Sequence, residues 1–237
     1  MQKGFWVIYF VILTAVAILL LILNFKTISA YYYQIRYPAT ATSATEVIDA
    51  SLEPEQEAVT KDSIFVTDRK RRRSELMPVA TYDIQAKVAI NARHPQSVKI
   101  GNFLDDLLTN DLVLVWGKIA DDYYLKRINF SHQFAYMTFK YKDPDLNQDP
   151  GQEYIFTHVS SNHLIAANTN LDHALRQLQK GDIVRLKGYL VNITGADKTL
   201  INTSTVRTDN WQQGEGNTGG SEFIYVTELQ NGDRLFK

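Results

Sequence analysis

The sequence predicts a mainly β domain of the α+β class, behind one N-terminal transmembrane helix. Three observations predict it. An apolar run opens the chain. The last two thirds of the chain contain about six segments with the apolar pattern of strands. A Gly-Asp turn at Gly181 leads into a long predicted strand that contains Gly188. An apolar content of 45% and a charged content of 22% exclude a wholly disordered chain.

The apolar run predicts an uncleaved membrane anchor over residues 4–25. Phe5–Leu23 contains 19 residues and is interrupted only by Thr14. A helix of that length spans close to the ~30 Å of hydrocarbon in a bilayer. The alternative is a cleaved signal peptide, but cleavage after Ala30 would put Ile28 where a small residue is needed.

The short N-terminal tail predicts a signal anchor of the bacterial inner membrane, single-pass, with the C-terminal domain in the periplasm. Basic residues flank both ends of the run, so the positive-inside rule leaves the orientation open. The expected partners are the lipid bilayer, through this helix, and an envelope protein. The chain has no cysteine, which excludes disulfides and thiolate metal sites. We predict no cofactor and no metal.

Residues 26–80 show no stable periodicity and predict a flexible stalk. Acidic residues cluster between Glu46 and Glu57, and a compact basic block follows. We interpret this block as a solvated cluster that pairs with the acidic one. The alternatives are binding to anionic lipid, to nucleic acid or to an acidic partner. The basic block consists of Arg69, Lys70, Arg71, Arg72 and Arg73.

Residues 81–230 carry the patterns of one β-rich globular domain, and residues 231–237 form a tail. Tyr82–Ile90 alternates apolar and polar residues, as a half-buried strand does. Leu171, Leu175 and Leu178 mark one face of a helix that ends at Gly181. Further strands are predicted over residues 112–116, 128–141, 154–159, 183–193, 200–206 and 223–229.

Gly188 interrupts the longest strand signal and predicts a bulge or a close backbone approach. A long strand that follows a Gly-Asp turn and bends at an internal glycine is common in small closed barrels. The sequence therefore favours a partly closed antiparallel barrel that resembles the OB-fold, with short helical insertions.

Five stretches occur in a fixed order: DLVLVWGKIADD, SSNHLIAANT, KGDIVRLKGYLV, TSTVRTD and GGSEFIYVTEL. Together they resemble a family of uncharacterised bacterial proteins, often with one N-terminal membrane helix, over roughly Tyr82 to Leu229. The resemblance implies the fold and the placement of a site, and it implies no activity. This chain departs from the family pattern at Ala135, Ala166 and Ser221; the serine replaces a cysteine, which argues against an essential thiol.

His163 is the most informative titratable residue, because an imidazole with a pKa of about 6.5 can act as a base or contact a ligand. It lies in a predicted polar loop, Ser160–Asn168, which we expect to form a contact surface with the Thr208–Gly220 loop. In the structural alternative, His163 holds this loop by hydrogen bonds to backbone or to Glu222. The predicted ligand-binding residues are Asn162, His163, Asn168, Arg207, Asp209 and Glu222.

The sequence predicts a non-enzymatic binding or scaffolding module anchored in the envelope membrane, and it leaves the ligand open. One alternative is a membrane-anchored hydrolase that uses His163 with Ser204 or Asp209, although no nucleophile-elbow motif is present. A second is an OB-type nucleic-acid binder that holds the phosphate backbone with residues 69–73. The slight acidic excess after residue 80 makes nucleic acid a poor partner.

Overall fold

The computed structural model describes residues 2–23, 25–94, 102–133, 136–141, 143–205 and 221–237. The strands are β1 (Thr42–Ser43), β2 (Glu55–Ala58), β3 (Ile64–Thr67), β4 (Arg73–Arg93), β5 (Asn110–Val115), β6 (Ile128–Gln133), β7 (Tyr136–Tyr141), β8 (Val159–Ala166), β9 (Ile183–Thr194), β10 (Leu200–Ile201), β11 (Ser221–Asn231) and β12 (Arg234–Phe236). The helices are α1 (Gln2–Leu23), α2 (Phe25–Arg36), α3 (Leu104–Leu107), α4 (Asp122–Leu125), α5 (Gln152–Thr157) and α6 (Thr169–Gln177). These elements confirm the mainly β, α+β prediction.

Five strands partly close into a ring. β4 pairs with β5, β5 with β8, β8 with β11, β11 with β9, and β9 returns to β4. The β8–β11 pairing is parallel, so the prediction of an antiparallel sheet is wrong for this pair. The reason is topological, because α6, β9 and β10 lie between β8 and β11 in the chain and supply the crossover that a parallel pair needs.

Three apolar clusters hold the domain together. The largest joins buried side chains of the five ring strands to α6, through residues such as Leu112, Leu175 and Leu186. A second joins the β3–β4 hairpin and α3 to β8, β9 and β11, and Phe223 lies in it. The third packs the segment between β5 and β8, which includes the buried Ile155, against those two strands and β4. Apolar burial of this kind is the main favourable contribution to folding.

At Gly188 the backbone of β9 lies very close to that of β11. A Cβ atom added there would lie 2.0 Å from the carbonyl oxygen of Tyr225. The register of the same pair shifts between Val226 and Glu228. The predicted close backbone approach at Gly188 is therefore confirmed, and it lies in the pairing that closes the ring.

The structure differs from the flexible stalk predicted over residues 26–80. β2 and β3 both pair with β4, and β1 pairs with β12, which itself lies in the predicted tail. The sequence did not predict β2 because all four of its residues are exposed, so this strand has no alternation of apolar and polar residues. Most of the segment therefore belongs to the domain instead of separating it from a membrane.

α2 is docked on the domain by its C-terminal end. The guanidinium carbon of Arg93 lies 3.7 Å from the ring centroid of Tyr33, and that of Arg176 lies 5.2 Å from the ring of Tyr37. Gln177 donates a hydrogen bond of 2.5 Å to the Tyr37 carbonyl. Cation–π contacts of this kind contribute about 0.5–2 kcal/mol each. They fix α2 against α6 and the end of β4.

α1 presents exposed apolar side chains, among them Phe10, Val11 and Ile22. None of the helices in the described part of the chain meets the length and hydropathy of a membrane span. The anchor over residues 4–25 therefore stays a prediction.

Two other predicted elements are wrong. The expected strand over residues 154–159 is mostly α5, and the expected polar loop over 160–168 is mostly β8. β8 has a polar sequence, yet seven of its eight residues are buried because it lies in the middle of the ring. Polar side chains can occupy such a strand when their hydrogen bonds are made inside the protein.

We expect Gly188→Ala to destabilise the protein by at least about 2 kcal/mol, because the new methyl group would overlap the Tyr225 carbonyl. The free energy of unfolding in urea measures the effect. Lys187→Ala is the matched control and should cost less than about 1 kcal/mol, since the ion pairs of this half-buried lysine are long, at 3.5 and 4.0 Å. Equal stability of the two variants would contradict the close approach.

Candidate functional site

His163 lies on β8 and is fully buried. Its Nδ1 atom is 2.6 Å from Oδ1 of Asp111 on β5, and Oδ2 of the same carboxylate is 2.8 Å from Nε2 of His94. The imidazole ring of His163 also stacks on Phe223, with the ring centroids 4.6 Å apart. One buried carboxylate therefore bridges two buried histidines from β8 and from the residue that follows β4.

The charge of Asp111 is stabilised by these two histidines. Burial raises the pKa of Asp111, but the charge and hydrogen bonds of His163 and His94 outweigh burial and bring this pKa well below its usual range. Asp111 is therefore ionised at neutral pH, and each of its carboxylate oxygens bonds to a buried imidazole. This arrangement supports a structural role for His163, and it adds Asp111 as a hydrogen-bond partner that the sequence did not suggest.

The structure brings Asn162 and Glu222 together beside His163 and places Asn168 apart from them. Asn162 is buried and donates a 2.7 Å hydrogen bond to Ser160 Oγ, and Glu222, also buried, lies beside it in the parallel register of β11. Ser204 is buried and its backbone N–H bonds to the Ser221 carbonyl. Asn168 is exposed and caps α6 by accepting from the Leu171 N–H at 2.9 Å. Arg207, Asp209 and the rest of the Thr208–Gly220 loop lie outside the described residues.

Most of the predicted basic block is paired inside the domain. Arg72 lies 2.7 Å from Asp68 and 2.7 Å from Asp106, and Lys70 lies 2.8 Å from Asp106. Arg73 packs over the ring of Phe65 at 3.9 Å. The expected pairing with the acidic block between Glu46 and Glu57 is not what the structure shows.

The acidic block instead binds other parts of the domain. Glu46 forms an ion pair with Arg185. Glu53 accepts a 2.9 Å hydrogen bond from the Trp116 indole and lies 2.8 Å from Nε2 of His158. The acidic block and the basic block therefore both attach the segment before β4 to the rest of the domain.

A cleft of about 480 Å³ opens between the β3–β4 hairpin, α3 and the junction of β8 with α6. We call it the hairpin cleft. Both Arg69 of the basic block and Asn168, one of the predicted ligand-binding residues, line this cleft. It is lined by Phe65, Val66, Thr67, Asp68, Arg69, Asp106, Leu107, Thr109, Ile165, Ala166, Ala167, Asn168, Thr169, Asp172 and Tyr225.

Asp172 and Arg69 set the electrostatics of the hairpin cleft. Asp172 lies 2.8 Å from Arg176 Nε and accepts a 2.8 Å hydrogen bond from Thr109 Oγ1. Burial raises the pKa of Asp172, but the hydrogen bonds and charge of Arg176 outweigh it and lower this pKa. Burial lowers the pKa of Arg69, and the charge of Arg176 lowers it further. Arg69 is thus a partly desolvated cation at the rim of a cleft.

Sequence reasoning missed several of these residues for lack of a local signal. His94 and Asp111 pair across 17 positions, and Thr109 meets Asp172 across 63. The spacing of Asp172 and Arg176 is the one local signal, because residues four apart on a helix are neighbours.

The chain matches no protein-family model, no curated protein and no solved structure. The proposed relationship to a bacterial family therefore stays a resemblance. In the stretches that the structure describes, no group of three or more histidine and carboxylate side chains is arranged to hold a metal ion.

We expect Asp111→Asn to lower the free energy of unfolding by about 3–5 kcal/mol at pH 7, because it leaves two buried imidazoles without their anion. The pKa of Asp111 is depressed in the folded state, so its contribution is complete above the unfolded pKa of about 3.9 and is lost as pH falls below it. The difference between wild type and variant should therefore shrink at about pH 3.

Urea unfolding at both pH values measures this difference. Asp62→Asn is the matched control, since Asp62 is exposed, and it should cost less than about 1 kcal/mol at either pH. A difference for Asp111→Asn that stays constant from pH 7 down to about pH 3 would contradict the depressed pKa.

Proposed function

We propose that this chain is a non-enzymatic binding module, anchored in the bacterial inner membrane by its N-terminal helix, that binds an envelope component in the hairpin cleft. The observation that carries the proposal is the cleft itself. Its volume of about 480 Å³ lies within the ~300–1,000 Å³ that is usual for ligand sites. Eight of its fifteen lining residues are polar or charged, and the others form an apolar patch.

The ring supports an OB-like barrel as the scaffold of this module. In chain order its strands are β4, β5, β8, β9 and β11, and the fifth lies between the third and the fourth. OB-folds are five-stranded, partly open barrels that bind ligands on the face of the second and third strands and on adjoining loops. The second and third strands here are β5 and β8.

The position of the hairpin cleft is consistent with that scaffold. The segment between β5 and β8 covers part of these two strands through the apolar cluster around Ile155. The cleft lies where this cover is absent. It is lined by Leu107 and Thr109 from the connection between the first two ring strands and by Ile165 from the end of the third.

The docking of α2 supports an anchor that holds the domain close to a membrane. Because Tyr33 and Tyr37 pack on Arg93 and Arg176, little free chain separates α2 from the domain. A domain held in this way would meet components of the bilayer surface and the adjoining envelope.

The geometry lends no support to the two alternatives. As a hydrolase the chain would need His163 to reach a substrate, but this side chain is 0% exposed and is bonded to Asp111. As a nucleic-acid binder it would need free cations, but Arg72 and Lys70 are bound to Asp68 and Asp106.

We expect the chain to stay in the membrane pellet after an alkaline carbonate wash and its domain to be digested when protease is added to intact spheroplasts. A tag fused after Lys237 reports the digestion. A cytoplasmic protein in the same sample must stay intact as the control. Protection until the spheroplasts are lysed would contradict the periplasmic placement, and release by carbonate would contradict the anchor.

Binding in the hairpin cleft is tested by a photo-crosslinking residue, benzoylphenylalanine, placed at Thr67 in living cells. Thr67 is exposed and lines the cleft, so discrete adducts are expected in the membrane fraction. Thr60 is exposed outside the cleft and serves as the matched control. Absence of an adduct at Thr67, or equal adducts at both positions, would contradict the cleft as the binding site.

A further inference from the structure

β3 forms one border of the hairpin cleft and has an open edge. Its four residues pair with β4 from Ile64 to Thr67, and no other strand in the described part of the chain pairs with it. Phe65, Val66 and Thr67 of this strand line the cleft. The unpaired N–H and C=O groups of an edge strand can pair with a further extended chain.

An apolar floor lies beside this edge. Val66, Leu107, Ile165 and Tyr225 all line the cleft, and all belong to the apolar cluster that joins the hairpin to the ring. Ile165 and Leu107 are buried, while Val66 and Tyr225 are partly exposed. One apolar side chain of a ligand could pack on this floor at low cost, because the surrounding side chains are already held in place.

Arg69 supplies hydrogen-bond donors at the rim. A guanidinium group has five N–H donors. Arg69 donates to the carbonyl of Asp105 at 3.0 Å and to that of Leu108 at 2.8 Å, and the nearest Asp172 oxygen lies 3.9 Å away. Donors therefore remain for a ligand that brings hydrogen-bond acceptors.

The charges around Arg69 favour a neutral acceptor over an ion. Asp68 and Asp106 are bound to Arg72 at 2.7 Å, and Asp172 is bound to Arg176 at 2.8 Å. A free anion at Arg69 would be repelled by these carboxylates, and a free cation would have to displace their arginines. A main-chain carbonyl oxygen accepts from Arg69 without either cost.

We propose that the ligand of the hairpin cleft is an extended peptide segment that adds to the edge of β3 as a further strand. One of its apolar side chains packs on the floor formed by Val66, Leu107, Ile165 and Tyr225, and one of its carbonyl oxygens accepts from Arg69. Strand addition of this kind obtains affinity from main-chain hydrogen bonds and specificity from pockets for alternate side chains. This inference rests on the proposed function and names the class of its ligand.

The probe is a phage-displayed library of random linear dodecapeptides, selected against the full-length chain in detergent micelles. Enriched peptides should alternate apolar and other residues, because alternate side chains of a strand point to the same side. The best one is synthesised with a fluorophore, and its Kd is measured by anisotropy. We expect Thr67→Trp, which fills the cleft, to raise the Kd about tenfold or more. The matched control Thr60→Trp should leave the Kd unchanged.

Methylated peptides test the main-chain pairing. A strand pairs through the N–H groups along one edge only, so N-methylation of alternate residues in one phase should abolish binding, while the other phase should be tolerated. Arg69→Met, which removes the donors without opening a cavity, should weaken binding of the tolerated peptide. Melting curves of each variant show whether it is folded.

Three results would overturn the inference: no peptide enriched over empty micelles, a Kd that Thr67→Trp does not change, or equal effects of the two methylation phases. An array of envelope glycans separates this failure from failure of the proposed function. A glycan that binds wild type and not Thr67→Trp would keep the hairpin cleft as the binding site and replace the peptide by a saccharide. If benzoylphenylalanine at Thr67 gives no adduct in cells, the proposed function itself would be contradicted.

Discussion

The fold depends on one constraint, which is that both edges of the 21-residue strand β4 are paired with other strands over most of their length. One edge is filled by β9, from Glu75 to Lys87. The other edge is filled in three parts, by β3, β2 and β5. β5 pairs with β8, β8 with β11, and β11 with β9. Because β9 also pairs with the opposite edge of β4, these pairings form the ring. The β2 and β3 parts lie outside the ring and give the protein its hairpin.

The buried polar residues follow from the same arrangement. β5 and β8 lie in the middle of the sheet, and the segments before and after β5 pack against them, so their polar side chains must find partners inside the protein. Asp111 does so by binding His163 and His94, and Asn162 by binding Ser160. Residues that look like a catalytic set in the sequence are therefore better explained as the interior hydrogen bonds of a polar strand.

The sequence predicted those elements whose apolar pattern is local. Four predicted elements are present: the strands over Tyr82–Ile90, 183–193 and 223–229, and the helix through Leu175. Each could be predicted because its apolar residues recur with the period of a strand or a helix that packs on a core. β8 could not be predicted, since Ser160, Ser161 and Asn162 carry no apolar signal. β2 could not be predicted either, because an exposed edge strand needs none. The site was only partly predictable, since Arg69 and Asn168 were singled out for reasons unrelated to the cleft that brings them together.

The charged segment before β4 is an integral part of the domain and forms one wall of the hairpin cleft. Hydrogen–deuterium exchange of the full-length chain, resolved by mass spectrometry, tests this placement most directly. We expect the amides of Glu55–Ala58 and Ile64–Thr67 that bond to β4 to exchange far more slowly than those of an unstructured peptide. If both stretches exchange at the rate of an unstructured peptide, the result would support the flexible stalk and contradict the hairpin cleft.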